Sequence, residues 1–187
     1  ASEGEQSTNT ITTLVVLSPP SPLNILFHVD SGAGQSMCCC PDAFLSLRPC
    51  AIEVIGVSGS LPIFGMGTAM FVVRTTTDLF VVVRIHNCLL SQGSPFNLLS
   101  VSQFQASRLN SVDFRPGSPN LSVKSTNGRA DLPLALMDGL YSFAAEPLHP
   151  SDDRYRSLPR FDLTPSDGPY STLSVDSPGS SSTLSDE

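Results

Sequence analysis

Short apolar runs constrain the fold of this chain more than any other feature of its sequence. Hydrophobic residues make up 40% of its 187 residues, but they occur in runs of a few residues bounded by Gly, Pro and Ser. One of the longest runs, at 78–85, is far below the ~18 apolar residues that cross a membrane. Short runs rich in β-branched residues are typical of strands. The pattern therefore predicts an all-β domain and no transmembrane segment.

The runs predict a series of strands joined by turn-forming residues. Because most of the connections are short, we expect an antiparallel meander. The strands are predicted at 10–17, 23–29, 51–57, 61–74, 78–85, 87–90, 111–114, 121–125 and 139–143. One short helix is expected within 100–109, where Ser100 or Ser102 can cap its N-terminus.

Both ends of the chain are predicted to be disordered. Residues 1–9 are polar, and residues 146–187 contain eight acidic residues, three basic residues, six prolines and many serines. Such a composition has too few branched apolar residues to offset the entropy lost on ordering. We therefore expect a folded region between a disordered N-terminus and a disordered, acidic, Ser/Pro-rich tail.

Charge and cysteine usage exclude several classes of function. The net charge of −7 and the absence of clustered Lys and Arg argue against a nucleic-acid partner. The five cysteines are odd in number and three of them are consecutive, a pattern that does not suit a disulfide framework. Neither these cysteines nor the three scattered histidines have the spacing of metal ligands. We expect free thiols, no metal and no cofactor. The first residues lack a signal-peptide pattern, which predicts an intracellular, cytoplasmic protein.

A short string with possible chemistry follows the strand predicted at 23–29. Asp30 could activate a water, Ser31 could hydrogen-bond at the base of such a site, and Gly32 permits a close backbone approach because it lacks Cβ. Ala33 is small enough to lie beneath the carboxylate. On its own, the string is also typical of an ordinary β-turn.

A second feature, at 55–67, has two apolar arms around a tip of Gly and Ser. Glycine-rich hairpins have low local stability, which suits a lid that opens for a polypeptide and closes over it. An ordinary β-hairpin without a lid role fits the composition equally well.

Three strings, in this order, resemble the protease region of copia-type LTR retrotransposon polyproteins. They are DSGAGQSM at 30–37, the hairpin with GMG at 65–67, and NLLSVSQF at 97–104. The resemblance covers about residues 23–143. By this resemblance, 10–109 is the aspartic protease domain and 110–145 begins the segment that precedes integrase. Two departures are GQSM after DSGA, where Thr-Ser-His-Met is common, and Ser58 at the hairpin tip, where Asn or Asp is usual.

The resemblance implies a retropepsin-like closed β-barrel half-site with a flap hairpin and one short helix, of the obligate-dimer type. Two Asp30 carboxylates would face each other about a two-fold axis and activate a water that hydrolyses a peptide bond. The implied catalytic residues are Asp30, Ser31 and Gly32, and the implied substrate-binding residues are Ala33, Gly56, Val57, Ser58, Gly59 and Ser60. The implied substrate is a polypeptide, its own polyprotein. The alternative is a non-catalytic remnant of the same fold that dimerises or binds peptides.

Overall fold

The structure, a computed structural model, describes four stretches of the chain. They are residues 25–50, 52–56, 59–126 and 128–167. The predictions for residues 1–9, for a strand at 10–17 and for the tail beyond residue 167 fall outside these stretches.

The described residues form mostly β-structure with few helices. The strands are β1 (Ile25–Asp30), β2 (Met37–Cys38), β3 (Phe44–Arg48), β4 (Glu53–Gly56), β5 (Gly59–Pro62), β6 (Gly65–Arg74), β7 (Phe80–Leu90), β8 (Asn97–Ser100), β9 (Ser111–Asp113), β10 (Asn120–Ser125), β11 (Gly128–Pro133), β12 (Ala135–Met137), β13 (Leu140–Pro147) and β14 (Arg160–Asp162). The helices are α1 (Val101–Ala106), α2 (Arg154–Ser157) and a 3-10 turn at Pro41–Ala43.

Six of the strands close into a barrel. In order they are β13, β1, β8, β2, β7 and β6, and β6 pairs back with β13 where Val72 lies opposite Glu146. β12 extends the sheet beyond β13, β3 extends it beyond β6, and β14 pairs with β7. β9, β10 and β11 form a separate three-stranded sheet, and β4 and β5 form a two-stranded one. The prediction of an all-β barrel with few helices is therefore confirmed.

Aromatic rings from three barrel strands meet in the core. The ring of Phe27 contacts that of Phe71 edge to face, with centroids 4.9 Å apart, and stacks on that of Phe143 at 5.4 Å. All three rings are buried. Because side chains alternate along a strand, Phe27 and Val29 face the core and Asp30 lies on the opposite face of β1. The core thereby orients the carboxylate away from the barrel interior.

Several strand bounds and pairings differ from the prediction. The strand predicted at 61–74 is divided between β5 and β6, whereas the runs at 78–85 and 87–90 join as β7. A bulge interrupts β7, with His86 and Asn87 opposite Thr68. The expected antiparallel meander is wrong for three pairings, since β1–β8, β2–β7 and β14–β7 are parallel. Parallel partners are joined by long connections, which local turn signals do not reveal.

The tail that was predicted to be disordered from residue 146 is ordered as far as residue 167. β13 continues to Pro147, α2 follows it, and β14 pairs with β7. Its apolar residues Leu148, Phe161 and Leu163 are buried against the barrel. Their burial stabilises this part of the chain, an effect that the average composition of residues 146–187 does not reveal. The boundary predicted at 109/110 also does not separate two folded units, because β13 closes the barrel.

The helix expected within 100–109 is present as α1. Ser100 is its N-cap, and the Ser100 hydroxyl accepts a hydrogen bond from the Gln103 backbone N–H at 3.2 Å. In the part of the chain that the structure describes, no helix is long and apolar enough to cross a membrane.

Candidate active site

Asp30 is the last residue of β1, and its carboxylate is fixed by the turn that follows. The Gly32 backbone N–H donates to Asp30 Oδ1 at 2.7 Å. A Cβ added to Gly32 would lie 3.3 Å from that same oxygen, so a side chain there would crowd the carboxylate. Ser31 and Gly32 are exposed, while Asp30 and Ala33 are half-buried. The turn thus presents the carboxylate at the surface of the barrel with one of its oxygens already hydrogen-bonded.

Strand β8 supports this turn from the side. β8 pairs in parallel with β1, placing Ser100 opposite Asp30. Ser100 is fully buried, and its hydroxyl donates to the Ala33 carbonyl at 2.7 Å. Its backbone N–H donates to the hydroxyl of buried Ser36 at 3.1 Å, and the Ser36 N–H donates to Gln103 Oε1 at 2.7 Å. Two buried hydroxyls and one amide therefore hold residues 33–36 in place.

The end of the same loop is bound to the bulge in β7. Gln35 Nε2 donates to the Asn87 carbonyl at 2.9 Å. Asn87 has φ of 52°, a left-handed conformation that asparagine tolerates better than most residues. On the other side of the bulge, the Thr164 hydroxyl donates to the His86 carbonyl at 2.9 Å. The ordered part of the tail and the Asp30 loop thus contact the same bulge.

A polar cluster fastens β14 to β7 beside this bulge. Arg84 Nε donates to Asp162 Oδ1 at 2.6 Å, and His86 Nε2 lies 3.0 Å from the same oxygen. Partial burial raises the pKa of Asp162, but hydrogen bonds with His86 and Arg84 outweigh it and leave that pKa below its usual value. Since the ionised form is favoured in the fold, this stabilisation is lost only as the pH falls through the lowered pKa.

The hairpin predicted as a lid consists of β4 and β5, which pair only with each other among the described strands. Gly56 lies opposite Gly59, and Gly59 has φ of 117°. Gly59 and Ser60 are exposed, and the tip residues Val57 and Ser58 lie outside the described residues.

The base of the hairpin is anchored by apolar contacts. Val54 and Leu61 pack against a buried cluster that contains Met37 and Leu89. Leu98 of β8 packs against the same cluster. The hairpin is therefore fixed at its base on the β8 side of the barrel, and its arms are exposed, with the Ile55 side chain 82% exposed.

Sequence reasoning did not select His28, which precedes Asp30 by two residues and shares its face of β1. His28 Nδ1 lies 2.8 Å from the Ser142 hydroxyl, and its ring contacts Phe96 edge to face at 5.6 Å between centroids. Phe96 is 51% exposed. The alternation of apolar and polar residues in β1 is the signal that could have identified His28.

The thiols, and the residue types that can bind metals, form no further site within the described part of the chain. Of the described cysteines, all are unpaired, and burial raises the pKa of Cys38 to about 12 and that of Cys88 well above its usual value. Within the stretches that the structure describes, no three His, Cys, Asp or Glu side chains are grouped to hold a metal ion.

Comparison with known proteins gives no relative for this chain. No protein family, curated protein or solved structure matches it.

Proposed function

We propose that this protein is an aspartic endopeptidase whose active site forms when two copies of the chain pair. The supporting observation is the position of Asp30 at the end of a barrel strand, where the Gly32 N–H bonds its carboxylate and buried Ser100 bonds the following loop at Ala33 and Ser36. A hydrogen-bond network of this kind fixes the orientation of a carboxylate, which a solvent-exposed turn without such bonds does not. The chain has one Asp-Ser-Gly string, so a dyad requires a second copy.

Two carboxylates brought together divide the chemistry between them. Like charges at hydrogen-bond distance do not both ionise, so the pair shares one proton. The ionised Asp30 takes a proton from the attacking water, and the protonated Asp30 polarises the scissile carbonyl and then protonates the leaving nitrogen. Activity is therefore expected to be bell-shaped with an acid optimum, because both fully ionised and fully protonated pairs are inactive.

The proposed substrate is an extended polypeptide, the polyprotein to which the chain would belong, cleaved inside the cell. The β4–β5 hairpin has exposed arms and an anchored base, which suits a lid that binds a peptide backbone along its edge. Phe96 and Leu98 offer apolar surface on the same side of Asp30 as the hairpin base, which suits apolar substrate side chains. In this proposal Ala33, Gly56, Gly59 and Ser60 contact substrate.

Cleavage of quenched fluorescent peptides of apolar sequence, between pH 4 and 7, tests the proposal. We expect cleavage by the wild type and a loss of at least ~100-fold in Asp30→Asn, since general acid–base catalysis contributes about that much or more. Asp78→Asn is the matched control, because Asp78 lies in an exposed turn with φ of 63°, which asparagine accepts. Folded wild-type protein that cleaves none of the peptides would instead support the non-catalytic dimerisation or peptide-binding module.

A further inference from the structure

The bulge in β7 brings a hydroxyl, an imidazole and a carboxylate into one hydrogen-bonded row. Thr68 of β6 lies opposite the bulge, and its Oγ1 is 3.0 Å from His86 Nδ1. The other ring nitrogen, His86 Nε2, is 3.0 Å from Asp162 Oδ1 on β14. Bulges often redirect side chains next to functional sites. Here three strands each contribute one polar side chain to the same row.

The protonation of this row follows from the state of Asp162. Arg84 donates to both carboxylate oxygens of Asp162, at 2.6 and 2.9 Å. Partial burial raises the pKa of Asp162, but its hydrogen bonds with His86 and Arg84 leave that pKa below its usual value. Because an ionised carboxylate only accepts hydrogen bonds, His86 Nε2 carries the hydrogen of their contact. In the neutral ring Nδ1 is then an acceptor, and the Thr68 hydroxyl donates to it.

The row borders an open cleft between β3, β6 and β7. The cleft has a volume of about 360 Å³, within the range of small-molecule sites, and Thr68, His86 and Arg48 are among its lining residues. Thr68 is half-buried and the His86 side chain is 14% exposed. Gly67 also lines the cleft, and a Cβ there would lie 1.8 Å from the Ser46 carbonyl oxygen, so β3 approaches β6 this closely only at a glycine. The hydroxyl and the imidazole therefore meet at a pocket that a small molecule can enter.

We propose that Thr68 is the nucleophile of a second active site, which hydrolyses small carboxylic esters. His86 is the general base of this site, and Asp162 positions the imidazole. A row of hydroxyl, imidazole and carboxylate is the arrangement that activates a hydroxyl nucleophile in hydrolases of several unrelated folds. Asp30 takes no part in this chemistry, so the inference does not depend on the proposed peptidase.

The reaction proceeds through an acyl-threonine. Thr68 Oγ1 bonds to the carbonyl carbon of the ester, and its proton passes to His86 Nδ1. Arg48 places a guanidinium in the cleft, and positive charge there stabilises the negative oxygen of the tetrahedral intermediate. The bond to the alcohol oxygen then breaks, and that oxygen takes the proton from His86. A water attacks the acyl-threonine in the same way, which releases the carboxylic acid and restores the Thr68 hydroxyl.

Labelling of the full chain with a fluorophosphonate ester at mildly alkaline pH tests the nucleophile. The Thr68 oxygen bonds to phosphorus, the phosphorus–fluorine bond breaks, fluoride leaves, and His86 takes the proton. We expect a single label per chain, which peptide mass spectrometry locates at Thr68, and loss of p-nitrophenyl acetate hydrolysis in the labelled protein. Thr76→Val is the matched control and should leave labelling unchanged, since Thr76 is an exposed threonine in the turn after β6.

Substitutions within the row separate catalysis from a structural role, because the labelling rate is measured only on protein that circular dichroism shows to be folded. We expect Thr68→Val to take no label, Thr68→Ser to keep it, and His86→Gln to slow it at least ~100-fold, the usual contribution of a general base. Asp162→Asn should also slow labelling, since its amide can donate to Nε2 and favour the ring form whose Nδ1 no longer accepts from Thr68.

The inference is overturned by a folded wild type that takes no label at Thr68. It is overturned equally by labelling at the wild-type rate in whichever of His86→Gln and Asp162→Asn folds, or by ester hydrolysis that persists in fully labelled protein. In any of these cases the row would only fasten β14 and β7 to β6.

Discussion

At the scale of single residues, the support of the candidate site depends on Ser100. Its buried hydroxyl donates to the Ala33 carbonyl and accepts from the Gln103 N–H, so it stabilises the Asp30 loop and the start of α1 together. The string at 97–104 predicts a helix capped by Ser100 or Ser102, since capping is a local interaction, and the structure shows that Ser100 is the cap. The link between Ser100 and Ser36 could not be predicted, because it depends on a parallel pairing of strands far apart in the sequence.

Ser100→Ala should destabilise the fold by about 1–3 kcal/mol, because a helix cap is lost and a carbonyl loses its hydroxyl donor. Urea unfolding at neutral pH measures the change. Ser157→Ala is the control, since the exposed Ser157 hydroxyl contacts only carbonyls at the start of its own short helix, at 3.4 and 3.5 Å. If the two substitutions lowered the free energy of unfolding equally, the Ser100 hydrogen bonds would contribute no more to stability than those of the control serine.

At the scale of elements, β14 is the clearest departure from the prediction. Composition averaged over residues 146–187 is that of a disordered tail, yet Phe161 and Leu163 alternate with polar residues and are buried. A three-residue strand is too short for periodicity to identify it. Its partner, β7, is about 78 residues away along the chain, as the Arg84–Asp162 pair illustrates. The hairpin predicted at 55–67, by contrast, is present in part, because its turn and its arms are adjacent. Its two strands are Glu53–Gly56 and Gly59–Pro62, whereas 65–67 belong to β6.

Phe161→Ala should lower the free energy of unfolding by about 3–5 kcal/mol, the usual range for truncating a fully buried aromatic side chain. Phe161 is 3% exposed, whereas Phe80, at one end of β7, is 53% exposed and serves as the control. Phe80→Ala is expected to cost much less, since it leaves no cavity in the core. If both variants unfolded at the urea concentration of the wild type, β14 would not be part of the cooperative fold.

At the scale of the whole molecule, the all-β barrel could be predicted because short apolar runs recur along the chain. The closure of that barrel could not be predicted from the sequence. It depends on the end of β13 pairing with β6, where Glu146 lies opposite Val72. Residues that the sequence predicts to belong to a separate segment and to a tail therefore complete the unit that carries Asp30. The barrel supplies one carboxylate to the proposed active site, so the proposed chemistry depends on the pairing of two chains.

Mixing wild type with Asp30→Asn distinguishes an active site shared by two chains from one that lies within a single chain. A fixed amount of wild type is refolded together with increasing Asp30→Asn, and peptide cleavage is measured at acid pH. Random pairing of chains that are fully dimeric predicts about half of the original rate at equal amounts, and less with an excess of the variant, because mixed dimers hold one aspartate. A rate that stays constant at every ratio would mean that each chain is a complete enzyme, which would contradict the paired site.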